Sequence, residues 1–306
     1  MLRYRVISSL VLTIGLILIV MYSHGWTNIF LPTAFAILGI TALLEFYHMM
    51  GQRGFRPLRV WGVGFSIAYV FVIYLVSLNM LPKVEDLALL PVYVAVFSAA
   101  LIITFRQEIA TALGTLASSL AGFLYITWLL TFNLRIVLWR AKPGPAGEVS
   151  LVDGRYFFLF FLIVLKSTDT AAYFFGTYFG RHKLAPRISP KKTIEGSIAG
   201  LCMSAVLGAV LAPVMPSVAP LYVKLASRIV GDAPVWSVAA LGALTGMMLS
   251  VLGQLGDLAE SKWKRDAQVK DSGGAIPGMG GALDVLDSFL FAAPAMYFFM
   301  KILERI

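Results

Sequence analysis

Nine apolar runs occupy most of this 306-residue chain, at roughly 6–23, 28–48, 58–80, 89–105, 110–138, 156–178, 194–215, 236–259 and 283–303. A helix needs about 20 apolar residues to cross the hydrocarbon core of a bilayer. In lipid every backbone N–H and C=O must be satisfied within the protein, and a helix does this within a single segment. The runs therefore predict an all-α, polytopic integral membrane protein with about nine transmembrane helices. Composition agrees: 59% of residues are hydrophobic and 13% charged, with a mean hydropathy of +0.83. A soluble domain would carry about 25% charged residues. The fourth run is short and the fifth long, so the pattern defines their ends least sharply.

The same composition excludes several function classes. A net charge of +9 in such a chain does not point to nucleic acid, because in membrane proteins the placement of Lys and Arg in loops carries the information. Cys202 is the single cysteine, which rules out an internal disulfide or a cysteine-based metal site, and it reads as a small apolar residue in a span. Arg3 and Arg5 precede the first apolar run, as in a signal peptide. The run is long and no small-x-small cleavage site follows before Trp26, so it is expected to be a retained span. We find no internal repeat and no soluble domain. The expected organisation is an N-terminal part, 1–150, of about five spans, and a C-terminal catalytic part, 151–306, of about four spans with polar loops. With the N-terminus inside, 15 Lys and Arg fall on the cytoplasmic side and 9 on the other, with Lys166 inside a span. The positive-inside bias favours that orientation. It puts the two most polar segments, 179–195 and 257–284, on the cytoplasmic side, an arrangement suited to an active site facing the cytoplasm. The Gly/Pro-rich segment 140–154 and the segment 213–235 are expected outside, the latter partly interfacial.

Polar residues concentrate between the last two runs. Residues 256–288 carry Asp257, Glu260, Asp266, Asp271, Asp284 and Asp287, the cations Lys262, Lys264, Arg265 and Lys270, and a cluster of glycines. Asp257, Glu260 and Lys264 share a face at i, i+3 and i+7, and Asp284 and Asp287 are an i, i+3 pair entering the ninth run. Carboxylates so placed are costly near lipid without a partner and suit a hard cation such as Mg²⁺, which takes one or two carboxylates beside water and phosphate oxygens. Between the pairs, Gly273, Gly274, Gly278, Gly280 and Gly281 let backbone N–H groups approach an anion, and the loop runs into a helix N-terminus. An earlier loop, Ser189-Pro190-Lys191-Lys192-Thr193-Ile194-Glu195-Gly196, sets lysines and hydroxyls just before a helix, a second anion site. Lys166 and Asp169, at i, i+3 within the sixth run, are placed to neutralise each other. Glu45 and His48 close the second run and read as interfacial charges.

These residues resemble the phosphatidate cytidylyltransferase (CDP-diacylglycerol synthase) family. The C-terminal signature is carried by Ser261, Lys264, Arg265, Lys270, Asp271, Gly273, Ile276, Pro277, Gly278, Gly280, Gly281, Asp284 and Asp287, preceded by Gly256-Asp257-Leu258-Ala259-Glu260-Ser261. A second block runs from Asp169-Thr170-Ala171-Ala172-Tyr173 through Gly176 and Gly180 to Ser189–Thr193 and Glu195-Gly196. The likeness is close over residues 165–295. It implies transfer of a cytidylyl group from CTP to phosphatidic acid, giving CDP-diacylglycerol and pyrophosphate in phospholipid biosynthesis, at a multi-pass cell (inner) membrane protein, with Mg²⁺ and a possible second cation, and a homodimer as a possible assembly. Asp257, Asp284 and Asp287 would then ligate metal, with Asp271 assisting. Lys264, Arg265 and Lys270 would hold triphosphate oxygens, with Gly278, Gly280 and Gly281 lining the loop. Ser189, Lys191, Lys192 and Thr193 would bind a phosphate-bearing substrate, and Asp169 would shape the site from below. Two positions depart from the family pattern: Met279 replaces His and Val285 replaces Arg. Because the aspartates and the Lys-Arg and Lys-Asp pairs remain, activity is expected. A different membrane lipid-phosphate nucleotidyl- or phosphotransferase, and a transporter using Lys166 and Asp169, are the rival readings. The first lacks its denser aspartate run here, and the second its repeated, broken spans.

Overall fold

The computed structural model describes residues 2–22, 29–78, 80, 90–106, 109–139, 153–276, 278 and 280–305. The described residues are mostly helical, and their two named strands form one hairpin. The helices are α1 (Leu2–Met21), α2 (Phe30–Gln52), α3 (Arg59–Ser77), α4 (Leu90–Arg106), α5 (Ile109–Gly122), α6 (Leu129–Val137), α7 (Gly154–Phe179), α8 (Ile194–Val214), α9 (Ala219–Val230), α10 (Val235–Asp266) and α11 (Ala282–Arg305). A π-helical turn, Phe123–Trp128, joins α5 to α6. Seven helices among the described residues are long and apolar enough to span a membrane, with Ala110–Val137 counted as one. This is an all-α polytopic membrane protein. The remaining two expected spans are helical as well: α1, and α4, whose 17 residues make it a shorter apolar helix. Of the segment expected as an external loop, residues 140–152 lie outside the described residues. The proline-bearing segment after α8 contains the 12-residue α9, closed by Gly231 at φ 87°, the left-handed C-terminal stop that glycine adopts without strain.

The chain forms two compact units: residues 1–135 with 263–290, and residues 136–262 with 291–306. In the first unit, the fully buried Tyr47 ring of α2 lies where a Cβ on Gly62 of α3 or Gly122 of α5 would stand. The Tyr47 hydroxyl donates to the Ser119 carbonyl at 2.8 Å, satisfying its polar end inside the unit. Ser66 and Thr127 share a buried hydrogen bond of 2.6 Å, which couples α3 to the π turn.

In the second unit a single sequence pattern sets the packing. Gly196, Gly200, Ser204, Gly208 and Ala212, each four residues after the last, are the buried residues of α8. Its other faces expose Ile198, Val206, Val210 and Val214, as a helix facing lipid should. Without a hydrophobic force between helices in lipid, small residues that admit close backbone approach supply the association. On one side, a Cβ on Gly200 would lie 3.0 Å from the Thr168 carbonyl of α7, and one on Gly196 would lie 2.6 Å from that of Ala172. On the other, Cβ atoms on Gly208 and Gly246 would run into the backbone carbonyls of Gly242 and Ser204, so α10 packs as closely as α7.

Candidate active site

In the second unit the loop between α7 and α8 folds into an antiparallel hairpin, β1 (Lys183–Ala185) and β2 (Ser189–Thr193), with Lys183 paired to Thr193 and Ala185 to Ser189. Thr193 is the joint. It is extended and its hydroxyl accepts from the Gly196 N–H at 3.2 Å, capping α8. Glu195, in the first turn of α8, accepts from the backbone N–H groups of Arg181 and His182 at 3.1 and 3.2 Å and meets His182 Nδ1 at 2.6 Å. The hairpin is thus tied to the helix start at both ends. Thr193 is 5% exposed, and its side chain holds the loop to the start of α8.

The hairpin presents Lys192, half-buried, to Asp257 of α10, with Nζ and Oδ2 2.5 Å apart. Asp257 also accepts from Ser261 Oγ at 3.3 Å. Lys191 is exposed. Lys166 and Asp169 form the expected i, i+3 pair at 3.9 Å, with side chains 32% and 44% exposed, and Asp169 is within electrostatic reach of Asp257 and Lys192 as well. Within this unit, then, the predicted residues Asp169, Lys192 and Asp257 come together, with Thr193 next to Lys192 in the chain. Ser189, half-buried, starts β2.

In the first unit the glycine loop closes as a tight hairpin. Ile276 and Gly280 exchange backbone hydrogen bonds of 3.0 and 3.2 Å. Gly278 and Gly280 sit at φ 78° and 100°, in the left-handed region that glycine occupies freely. Pro277 and Met279 lie outside the described residues. Asp284, in the first turn of α11, binds on both oxygens. Oδ1 meets Lys264 Nζ, and Oδ2 accepts from Gly281 N at 2.7 Å and from Ser272 N and Oγ at 3.0 Å each. Lys264 is 9% exposed. The structure thus joins Lys264, Gly280, Gly281 and Asp284, and gives Asp284 a full set of protein donors. Arg265, Lys270 and Asp271 are exposed on and after the end of α10, and Arg265 donates to the Val269 carbonyl at 3.2 Å. Val285, one of the family departures, is half-buried on α11.

Carboxylates with the chemistry for a hard cation are present. Asp257, Glu260 and Asp287 can each offer a carboxylate oxygen to a metal ion. Glu260 is 0% and Asp287 7% exposed, rare states for acidic residues. Carboxylate oxygens suit a hard divalent cation of the Mg²⁺ type rather than a soft metal. Asp287 also accepts from Ser288 N at 2.5 Å and Ser288 Oγ at 3.1 Å.

The residue that sequence reasoning misjudged is Glu45. It is not simply an interfacial charge at the end of a span. Its carboxylate accepts from Ala282 N at 3.0 Å, Leu283 N at 2.9 Å and Ser272 Oγ at 3.0 Å. An acidic residue with no cation near it in sequence, most of the way along an apolar run, was the available signal.

Comparison with known proteins is consistent with this geometry. A family model described as "Cytidylyltransferase family" matches residues 3–303. The chain is 30% identical to the phosphatidate cytidylyltransferase of Synechocystis sp. over 314 aligned residues, covering 98% of this chain and 96% of that one. It is 40% identical to the phosphatidate cytidylyltransferase of Bacillus subtilis over 149 residues, 49% of each chain. It is 43% identical to that of Staphylococcus haemolyticus over 146 residues, 47% of this chain and 48% of that one.

Proposed function

From the premise that the chain belongs to the cytidylyltransferase family, and is a membrane-embedded nucleotidyltransferase, we infer that it joins CTP and phosphatidic acid to give CDP-diacylglycerol and pyrophosphate. An oxygen of the lipid phosphate attacks the α-phosphorus of CTP in line. The bond from that phosphorus to the bridging oxygen breaks, and pyrophosphate leaves. The attacking phosphate monoester is already an anion near neutral pH, so no strong general base is needed. The barrier is electrostatic, because two polyanions must approach, and fixed cations and oriented N–H groups are what lower it.

The observation that carries this reading is the joining of Lys264 to a glycine hairpin whose base is clamped by Asp284. With the ammonium and the loop base fixed on Asp284, the rest of the glycine loop is held in one conformation for an incoming phosphate. Lys264, Arg265 and Lys270 hold triphosphate oxygens as charge-assisted donors. Ser189, Lys191 and Lys192 take a phosphate-bearing substrate, and Thr193 holds their loop. Asp257 and Glu260 of the second unit offer carboxylates for Mg²⁺, and Asp287 offers one in the first unit, while Asp284 acts chiefly on Lys264 and the loop. When bound, the cation supplies Lewis-acid charge to the phosphate oxygens. The Lys and Arg bias supports a cytoplasmic site in the inner membrane.

The test is CDP-diacylglycerol formation by purified protein in liposomes containing phosphatidic acid, with CTP and Mg²⁺. Turnover should vanish with EDTA and return with added Mg²⁺. Absence of product across Mg²⁺ and Mn²⁺ in folded protein would overturn the reading.

A further inference from the structure

We propose that Glu45, on α2, is a positioning residue for the glycine loop, and so for the CTP phosphates. The proposal rests on the functional reading above for its kinetic consequence, but not for its structural one. Glu45 stands 227 residues before Ser272. It meets both ends of the loop at once: Oε2 accepts from the Ser272 hydroxyl and the Leu283 N–H, and Oε1 accepts from the Ala282 N–H. The first N–H groups of a helix have no partner within it, and a carboxylate there is favoured by the helix dipole. Here the cap of α11 comes from another helix instead of from the residue that precedes α11.

Ser272 links the two carboxylates. Its hydroxyl lies 3.0 Å from Glu45 Oε2 and 3.0 Å from Asp284 Oδ2, and its N–H donates to Asp284 at 3.0 Å. One hydroxyl proton serves one carboxylate at a time, so Ser272 bridges two acceptors that both need the loop end to stay in place. The result is a clasp of Glu45, Ser272 and Asp284 across the base of the loop, and Asp284 in turn holds Lys264.

The clasp also explains two of the glycines. A Cβ on Gly273 would run into Glu45 Oε1, and one on Gly281 would run into Ser272 Oγ and Glu45 Oε2. Both positions are therefore small because the Glu45 carboxylate occupies the space. A Cβ on Gly274 would meet nothing within 4 Å, and Gly278 is exposed, so these two glycines are not filled by the Glu45 carboxylate. Gly281 belongs to the clasp.

The experiment compares wild type, Glu45→Gln and Glu45→Ala in nanodiscs by two readouts. The first is amide hydrogen exchange at Ala282 and Leu283. The second is steady-state kinetics with CTP and phosphatidic acid varied separately. Glu45→Gln keeps the volume but replaces one acceptor oxygen with a donor. If the clasp operates, exchange at Ala282 and Leu283 rises at least tenfold in both variants. The KM for CTP also rises about tenfold or more in both, while the KM for phosphatidic acid changes less than threefold. A space-filling role predicts instead that Glu45→Gln behaves as wild type in both readouts, and that result overturns the proposal. Unchanged exchange in Glu45→Ala overturns it too, whatever the kinetics. A wild type without CTP turnover removes the functional reading and leaves the exchange data to decide the clasp.

Discussion

Replacing Asp284 by Asn removes one charge and preserves shape, so its effect isolates what the carboxylate does. In the wild type, Oδ1 takes the Lys264 ammonium, and Oδ2 takes the N–H groups of Gly281 and Ser272 and, in turn, the Ser272 hydroxyl. An amide has one acceptor oxygen and one donor NH₂. If the NH₂ faces Lys264, two donors confront each other and a cation 9% exposed loses its counter-ion. If it faces the loop, the Gly281 and Ser272 N–H groups lose their acceptor. Both orientations leave buried groups unmatched. Removing one partner of a buried ion pair costs about 3–5 kcal/mol. At about 1.4 kcal/mol per tenfold, turnover should fall by roughly 10²–10⁴ if that energy is expressed in the transition state. The assay is CDP-diacylglycerol formation in liposomes, with Tm in detergent as the folding control. A double-mutant cycle with Lys264→Gln tests the coupling: the double variant should lose little more activity than either single one. Near-normal turnover by folded Asp284→Asn, or fully additive losses in the cycle, would refute the argument.

Three further outcomes are expected. Gly246→Ala should lower Tm by the equivalent of about 1–3 kcal/mol of overpacking or more, because its Cβ would meet the Ser204 backbone carbonyl, whereas Gly64→Ala on α3, with nothing within 4 Å, should leave Tm unchanged or raise it; equal Tm values for the two would contradict the close helix seam. Arg187→Cys and Ala275→Cys, each in a Cys202→Ala background, should be labelled by a membrane-impermeant maleimide from the cytoplasmic side only, and labelling from opposite sides would rule out a shared cytoplasmic face. Met279→His should change turnover by no more than about tenfold, roughly 1.4 kcal/mol of barrier, since attack by a lipid phosphate anion asks for no general base; an inactive wild type rescued by His would show that the position is essential.

Local pattern alone settled much of this protein. Backbone that enters lipid must bond to itself, so the apolar runs determine where helices lie, and seven spanning helices stand where runs were read. The spacing of Lys264, Arg265, Asp284 and Asp287 with the glycines is legible in the sequence and singles out the candidate site. The i+4 series Gly196, Gly200, Ser204, Gly208 and Ala212 was also present in the sequence, and it is the buried stripe of α8; its meaning depends on two neighbours arriving at backbone distance, which no single helix displays. What only the tertiary structure decided is which charge meets which. Spacing grouped Asp257 with Lys264 on one face, but Asp257 pairs with Lys192 and Lys264 with Asp284. Glu45 read, with His48, as an interfacial charge closing a span, yet it caps α11 from 237 residues before Ala282. Helical periodicity records which residues share a face of one element. Partners across elements depend on how helices far apart in sequence pack, and in an apolar surround a carboxylate is retained where that packing brings it donors.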